Sequence, residues 1–370
     1  MEPVELEKKN NNAFFSSGAY GCVHYPRIKC DGTQKSVRRG KRKDGLLSKL
    51  VLYDSKAKNE YLIGKKLKAT SMLKDNPIVI VERKCEIKTK AVNRIVKNYS
   101  ECRHVVGRKR LQKKKSARKF NLFFSKYYQS ITAKQYIYNN DVFSIHRLLK
   151  YFYFSIYVSN ILKNFNIVHN DMHLNNVIID KQGHLHIIDF GLSLDIDKIY
   201  VNYSEKKSIN INYLAEVLDY RGKSRAVWSI EHHILFHFVF ERASLTRDDL
   251  LSIVNKYYGL FEKKQPVLDI DDYDNYKMEV YEHYSALFVN NISIEKHIKT
   301  IISKSVYSWD MYRVALNCLK AIEHFKFSIG IHSSSVKEFR TLLQTCLHYD
   351  YTLRPSPEKL LKLISSISLV

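Results

Sequence analysis

The segment VHNDMHLNNVIIDKQGHLHIIDFG, residues 168–191, constrains the fold of this chain more than any other part of the sequence. Its two short apolar runs, NNVIID and LHIIDFG, are joined by a Lys-Gln-Gly turn, a pattern that predicts a β-hairpin. Such a hairpin brings Asn176 and Asp189 to the same end, with Asp171 shortly before them. A hydrophobic core does not require three amide and carboxylate side chains, whereas oxygen ligands of this kind bind Mg²⁺. The segment therefore predicts a site for a metal-bound phosphate.

The chemistry that suits these residues is phosphoryl transfer. This reaction needs a metal ion bridging the phosphates, a carboxylate near the attacking hydroxyl and a cover that excludes water. The sequence supplies His169, Asp171 and Asn176 in the spacing H-x-D-x-x-x-x-N, and Asp189 follows in IDFG. Any one of these residues alone would be better explained as a turn cap, but the complete string is not.

This string resembles the catalytic loop and the Asp-Phe-Gly segment of protein kinases, whose signature is H-R-D-L-x-x-x-N followed by D-F-G. The resemblance implies that ATP and Mg²⁺ bind to the chain. It implies that Asp171 is the catalytic base, that Asn176 is a Mg²⁺ ligand and that Asp189 is the principal Mg²⁺ ligand.

The segment SSGAYGCV, residues 16–23, is similar to the glycine-rich loop that covers the nucleotide in this family. Glycines allow backbone N–H groups to approach phosphates closely. A G-x-x-G pattern alone is weak evidence, but its position upstream of a catalytic loop strengthens it. The resemblance assigns nucleotide binding to this set: Gly18, Ala19, Tyr20, Gly21 and Val23.

A lysine that contacts the nucleotide phosphates is expected on the third strand, in the segment LLSKLVLY. Lys49 occupies that place, and Glu60 on the following helix is its expected partner. Both are therefore candidate catalytic residues, and Lys49 also belongs to the nucleotide site. Lys56 and Lys58 are the alternatives for the lysine.

Three residues in the second half of the chain match architectural positions of the family. Glu231, in VWSIEHHIL, and Arg354, in the segment 342–361, are expected to form a buried ion pair. Asp310, in SWDMYRVAL, is expected to bind the backbone of the catalytic loop. The segment AVWS near Ala226 is a rival for the helix that carries Asp310, but it lacks the aspartate.

The resemblance implies an α+β fold with two lobes, a small β-rich one and a larger helical one. We predict a kinase-like domain over residues 14–370, with the first lobe at about 14–128, the second at about 129–370 and an insertion at about 240–305. Strands are expected at 76–82 and 119–128. Helices are expected at 55–70 and 142–165.

Two departures from the family pattern affect the expected mechanism. Asn170 replaces the arginine that commonly binds a phosphate on the activation loop, so we expect activity without phosphorylation there. His173, a further candidate catalytic residue, stands where serine/threonine kinases usually have lysine; its neutral imidazole carries no fixed charge. A protein acceptor, preferably serine or threonine, is expected.

Two alternatives to a protein kinase stay open. The residues HND followed by His are also similar to those of choline and aminoglycoside kinases, which implies a small-molecule kinase as the first alternative. The second is a kinase-like scaffold that binds anionic partners through its basic first lobe.

Positive charge is concentrated in the first third of the chain. The net charge is +24, and residues 1–126 contain 33 Lys and Arg against 11 Asp and Glu. Residues 83–119 alone contain 15 basic and 2 acidic side chains. This segment predicts a nucleic acid or another anionic partner.

The remaining sequence features concern the setting of the protein. The six cysteines form no metal-binding pattern and are interpreted as reduced thiols. No secretory leader and no transmembrane stretch is evident. The sequence therefore predicts a cytoplasmic protein. Its composition and its insertions are similar to those of divergent kinases of large cytoplasmic DNA viruses, which implies host cytoplasm or virion.

Overall fold

The structure is a computed structural model that describes the following residues: 14–18, 21–33, 45–72, 76–98, 102, 119–139, 144–201, 208–218, 228–264, 267–325 and 334–365. The chain divides into two compact units, residues 1–69 with 79–129 and residues 70–78 with 130–370. The first unit is rich in β-strands and the second is mainly helical. The predicted two-lobed α+β class is therefore confirmed, while the predicted limits of the domain and its insertion stay predictions.

The first unit contains a five-stranded antiparallel sheet in the order β1-β2-β3-β5-β4. Its strands are β1 Phe14–Gly18, β2 Gly21–His24, β3 Leu46–Leu52, β4 Arg83–Ile87 and β5 Phe120–Lys126. Its helices are α1 Ser55–Lys66 and α2 Thr89–Asn98, and a 3₁₀ segment, Leu67–Met72, follows α1.

Both faces of this sheet are covered because side chains alternate along a strand. On β5, Leu122 and Phe124 belong to one apolar cluster, which also contains Val92 and Ile95 of α2. Phe123, between them, belongs to a second cluster with Val51, Ala57 and Val81. The helix α1 begins where the Asp54 carboxylate accepts the Ala57 N–H at 3.0 Å. Apolar side chains thus pack against the sheet on both sides.

Four of the six cysteines are paired in this unit. Disulfide bonds join Cys22 to Cys102 and Cys30 to Cys85. The interpretation of all six as reduced thiols is therefore wrong for these four, because packing within the first unit brings residues that are 80 and 55 positions apart to bonding distance. Disulfides persist in oxidising environments, so the predicted cytoplasmic location loses the support of the thiols.

The second unit contains two small sheets and a set of helices. Strands β6 Ser130–Thr132, β8 Val177–Asp180 and β9 Leu185–Ile187 form one sheet, and β7 Ile167–Val168 pairs with β10 Leu194–Asp195. The helices are α3 Ala133–Tyr138, α4 Ile145–Asn164, α5 Ile196–Ile199, α6 Ile211–Val217, α7 Ile230–Phe236, α8 Arg247–Lys264, α9 Tyr273–Phe288, α10 Ile294–Ser305, α11 Trp309–His324, α12 Ser334–Thr345 and α13 Pro357–Ser365. A π-helical turn, His237–Glu241, follows α7, and a 3₁₀ turn, Val306–Ser308, precedes α11.

The core of the second unit is built on α4. Apolar side chains occupy most of its faces, as the sequence predicts, and it packs against α11 and α13. Residues 247–305, within the predicted insertion, form α8, α9 and α10. The carboxylate of Asp269 ties the insertion to α12, since it accepts hydrogen bonds from Arg340 and Gln344 at 2.5 and 2.6 Å.

One predicted strand is wrong. Residues 76–82 form an extended connection, in which only Ile78 makes an isolated parallel bridge, to Ile187, and the strand β4 begins at Arg83. Apolar runs of this length bury their side chains in a connection as readily as in a strand, so periodicity does not separate the two.

Candidate functional site

The predicted hairpin is present as β8 and β9. Val177 pairs with Ile187, and the Asn176 carbonyl accepts the Ile188 N–H at 2.9 Å. The turn is closed by Asp180, whose carboxylate accepts two backbone N–H groups, and by Gly183 at φ +85°. This register brings Asn176 next to the residue that precedes Asp189.

Asp171 lies at the centre of the candidate site and is half-buried. The Asn176 amide donates to the Asp171 carbonyl at 3.0 Å and to Oδ2 at 3.3 Å. His173 Nε2 is 3.6 Å from the same Oδ2, and an Arg313 nitrogen is 3.6 Å from Oδ1. Burial by itself would raise the pKa of Asp171, but the hydrogen bond from His173 and the charge of Arg313 lower it below its ordinary value. Asp171 is therefore held ionised, as a base must be.

The backbone around Asp171 is held in place by Asp310. Its two carboxylate oxygens accept the N–H groups of His169 and Asn170 at 2.9 and 2.7 Å. Asp310 is buried, and this burial raises its pKa. The predicted contact between Asp310 and the loop backbone is confirmed.

Asn170 forms hydrogen bonds with Asp310, Leu192, His232 and Trp228, all in the second unit. Besides its N–H to Asp310, its side chain donates to the Leu192 carbonyl and accepts from His232 at 3.0 Å, and its carbonyl accepts the Trp228 indole N–H at 3.1 Å. Its φ of 61° is unusual for a residue other than glycine. Burial lowers the pKa of His232 well below its ordinary value, so this ring stays neutral.

His169 connects the loop to the end of the hairpin. It is fully buried, its Nε2–H donates to the Ile188 carbonyl at 3.1 Å, and its ring lies edge-on to Phe190 at 4.9 Å. Asp189, between these two contacts, has φ 67°. Such left-handed residues collect at functional sites, where the surrounding contacts impose the conformation.

The donor set suits Mg²⁺ better than a transition metal. Asn176 and Asp189 offer an amide and a carboxylate, and Mg²⁺ is usually held by one or two such groups together with phosphates and water. Among the residues that the structure describes, no cluster of three or more His, Cys, Asp or Glu side chains could hold a metal ion. A closed, all-protein metal site is therefore absent from this part of the chain.

In the first unit, Lys49 on β3 contacts Glu60 on α1. The Lys49 Nζ lies 2.9 and 3.0 Å from the two carboxylate oxygens, and both side chains are largely buried. Gly21 packs directly on this lysine, since a Cβ there would lie 3.0 Å from Lys49 Cγ and from the Leu50 carbonyl. Lys56 and Lys58, the alternatives for this position, lie on α1.

The candidate nucleotide-binding residues of the first unit lie on β1 and β2. Gly18 pairs with Gly21, and Val23 pairs with Lys49 in the neighbouring strand. Ala19 and Tyr20, between the two strands, lie outside the described residues.

The predicted ion pair between Glu231 and Arg354 is confirmed. The guanidinium binds both carboxylate oxygens, at 2.5 and 3.0 Å, and the two side chains are at most 1% exposed. The Trp309 indole N–H also donates to Glu231 at 3.0 Å. Because Trp309 and Asp310 are adjacent on α11, this pair supports the helix that positions the loop.

The sequence-based predictions missed three residues that contact Asn170 or Asp171: Trp228, His232 and Arg313. A signal was available for Arg313, because it follows Asp310 by three positions in a predicted helix and so lies on the same face. No signal was available for the other two, whose contacts with Asn170 join elements about 60 residues apart.

About half of the basic segment 83–119, namely residues 99–101 and 103–118, falls outside the residues that the structure describes. Within the described part, the Arg83 guanidinium lies over the Phe124 ring at 4.8 Å, and Lys119 is 3.9 Å from Glu86. In the described segments, no helix is both long and apolar enough to cross a membrane.

In a comparison with known families, residues 44–363 match a model described as protein kinase domain. No curated protein matches the chain.

Proposed function

Because the chain belongs to the protein kinase family, we propose that it transfers the γ-phosphoryl group of ATP to serine or threonine side chains of a protein, with Mg²⁺ as the metal ion. The family itself implies a phosphotransferase that uses ATP and acts on a protein. The acceptor residue and the metal are the parts of the proposal that go further.

One observation carries the proposal. The carboxylate of Asp171 is bound by the Asn176 amide at 3.3 Å, and its pKa is lowered by neighbouring charges. An ionised carboxylate held in place by a metal-ligand candidate is what a positioned base requires.

The proposed roles follow from the residues present. Lys49, held by Glu60, would contact the α- and β-phosphates, and Gly18, Gly21 and Val23 would cover the nucleotide. Asn176 and Asp189 would hold Mg²⁺, which neutralises phosphate charge when bound.

Asp171 would orient the acceptor hydroxyl and take its proton. The hydroxyl oxygen forms a bond to the γ-phosphorus, and the bond from that phosphorus to the bridging oxygen breaks. The electron pair of the broken bond leaves with ADP. His173 would donate a hydrogen bond from its neutral ring.

A small-molecule kinase of the choline or aminoglycoside type is the first alternative. The buried pair of Glu231 and Arg354 supports a protein kinase instead, because those relatives generally lack it. The second alternative is a kinase-like scaffold. It is disfavoured because Lys49, Asp171, Asn176 and Asp189 are all chemically competent.

The test is incubation of the full-length protein with labelled ATP, Mg²⁺ and a mixed cell extract, beside Asp171→Asn. A matched control is Asp269→Asn, which makes the same chemical change in the insertion. The proposal requires label on serine or threonine of proteins, lost only with Asp171→Asn. Label on small molecules, on tyrosine only, or equally in both variants contradicts it.

A nucleic acid or other anionic partner for residues 83–119, a viral origin and a location in host cytoplasm or virion rest on sequence alone. Binding by phosphate neutralisation weakens steeply with salt. A salt titration of binding to DNA, RNA and anionic vesicles therefore tests the partner, and absence of binding to all three contradicts it.

A further inference from the structure

Arg313 brings a second cation to the carboxylate of Asp171. It lies on α11, one turn after Asp310, and its guanidinium nitrogen is 3.6 Å from Asp171 Oδ1. The other carboxylate oxygen, Oδ2, faces His173 and Asn176. The two carboxylate oxygens of Asp171 therefore contact residues from different elements of the chain.

The Arg313 side chain lies beside Trp228, which is itself bound to the Asn170 backbone. Its guanidinium lies 5.6 Å from the centre of the Trp228 ring, a distance at which a cation is attracted to an aromatic face. Trp228 is 3% exposed and donates its indole N–H to the Asn170 carbonyl. The Arg313 side chain is 14% exposed. The guanidinium charge is thus partly shielded from water. In this less polar environment it interacts more strongly with neighbouring charges than it would in water.

His173 is not the fixed charge of this site. Its Nδ1 accepts the backbone N–H of Asn175 at 3.1 Å, so this nitrogen carries no proton while the bond exists. The remaining proton is on Nε2, which faces Asp171. The ring is therefore a neutral donor, whereas an arginine keeps its charge throughout the pH range of enzymes.

We propose that Arg313 is the fixed cation of the phosphoryl-transfer centre and binds an equatorial oxygen of the transferred phosphoryl group. This inference rests on the proposed function. In it, Arg313 carries the charge that serine/threonine kinases usually place at the position of His173.

The transferred group comes within reach of Arg313. An acceptor hydroxyl within about 3 Å of Asp171 becomes bonded to the phosphorus, so the phosphoryl oxygens pass close to whatever flanks that carboxylate. A guanidinium has five N–H donors and can bind a carboxylate and a phosphoryl oxygen together. Arg313 stays protonated throughout, and the hydroxyl proton goes to Asp171.

The test compares Arg313→Gln with wild type under saturating ATP and protein substrate, and then adds His173→Lys to that variant. We expect kcat to fall by about 100-fold in Arg313→Gln, the usual loss when one such electrostatic group is removed. KM for ATP should change less than about threefold. Adding His173→Lys should raise the kcat of Arg313→Gln by at least about tenfold, because the lysine returns a positive charge to the site. If Arg313 had only a structural role, the lysine would not raise kcat.

Arg340→Gln is the matched control, since Arg340 also pairs with a carboxylate, Asp269, but in the insertion. Its kcat should equal that of wild type. An unchanged kcat in Arg313→Gln, or a loss that His173→Lys does not rescue, overturns the inference while the wild-type activity keeps the proposed function. An inactive wild type, by contrast, removes the proposed function itself.

If Arg313→Gln does not fold, as judged by circular dichroism, the inference is tested with the variant His173→Ala instead. With the fixed charge on Arg313, His173→Ala removes only a neutral hydrogen-bond donor and should lower kcat by less than about 100-fold. A loss of about 100-fold or more would assign the charge to His173 and overturn the inference.

Discussion

The side chains of Glu231 and Arg354, 123 positions apart in the sequence, form an ion pair that is almost completely removed from solvent. Removing one partner from such a pair leaves an uncompensated buried charge. We therefore expect Arg354→Ala to lower the free energy of unfolding by about 3–5 kcal/mol, measured by denaturant titration.

The control for this prediction is an exposed pair in the same unit. Lys163 lies 2.7 Å from Glu358, but the two side chains are 37% and 53% exposed. Lys163→Ala should cost less than about 1 kcal/mol, because exposed pairs are screened by water. Equal losses in the two variants would show that burial does not decide the strength of these pairs.

Asn170 leads to a prediction about regulation. The side chain at this position is bound by His232 and by the Leu192 carbonyl, and it is 2% exposed. It therefore has neither the charge nor the access to bind a phosphorylated activation loop. Complete dephosphorylation, verified by mass spectrometry, should leave kcat unchanged; a loss of activity that returns on rephosphorylation would contradict this.

His24 makes the stability of the first unit dependent on pH. It is fully buried on β2, and burial lowers its pKa to about 4, against the opposite effect of hydrogen bonds with the backbone of Ser48 and Cys22. An unfolded histidine has a pKa of about 6.5, so the unfolded chain binds more protons between these values. The free energy of unfolding should therefore fall as the pH decreases from about 6.5 to 4, by up to about 3 kcal/mol from this group.

The measurement is the free energy of unfolding at several pH values for wild type, His24→Gln and the exposed control His146→Gln. Only His24→Gln should flatten the dependence in this range. The same slope in all three proteins would assign the pH dependence to other groups.

The cysteine pairing predicts a count of reactive thiols. All six cysteines lie in described segments, and the two that are free, Cys318 and Cys346, are buried. Alkylation of the unfolded, unreduced protein should modify these two thiols, and alkylation after reduction should modify all six cysteines. In the folded protein both free thiols should react slowly, because burial raises the pKa of Cys346 to about 12 and raises the pKa of Cys318 well above its ordinary value. Modification of every cysteine without reductant would contradict the two disulfides.

Part of the fold was predictable because its signals are local. The hairpin of residues 177–187 is determined by two apolar runs and a glycine turn, and α4 by an apolar run long enough for a buried helix. Residues 76–82 carry the same kind of signal but form a connection, because their apolar side chains are buried without a pairing strand on both sides.

The residues of the candidate site also fall into two groups, those that the sequence predicted and those that only the structure revealed. Asp171, Asn176 and Asp189 stand out because the chemistry demands them at a particular spacing, and the family resemblance extended this to Lys49, Glu60 and Asp310. The catalytic roles of these residues stay predictions. The contacts of Trp228 and His232 with Asn170 have no counterpart in spacing, since they arise where α7 and its preceding residues pack on the loop.

The order of residues along the chain was enough to specify the lobes, the hairpin and the carboxylates, because periodicity, turn residues and reactive groups are properties of neighbouring positions. Packing between distant elements was needed to establish which cations surround Asp171, which groups bind Asn170 and which cysteines are paired. The energies that select one such packing are sums over many contacts, and no short stretch of sequence contains them.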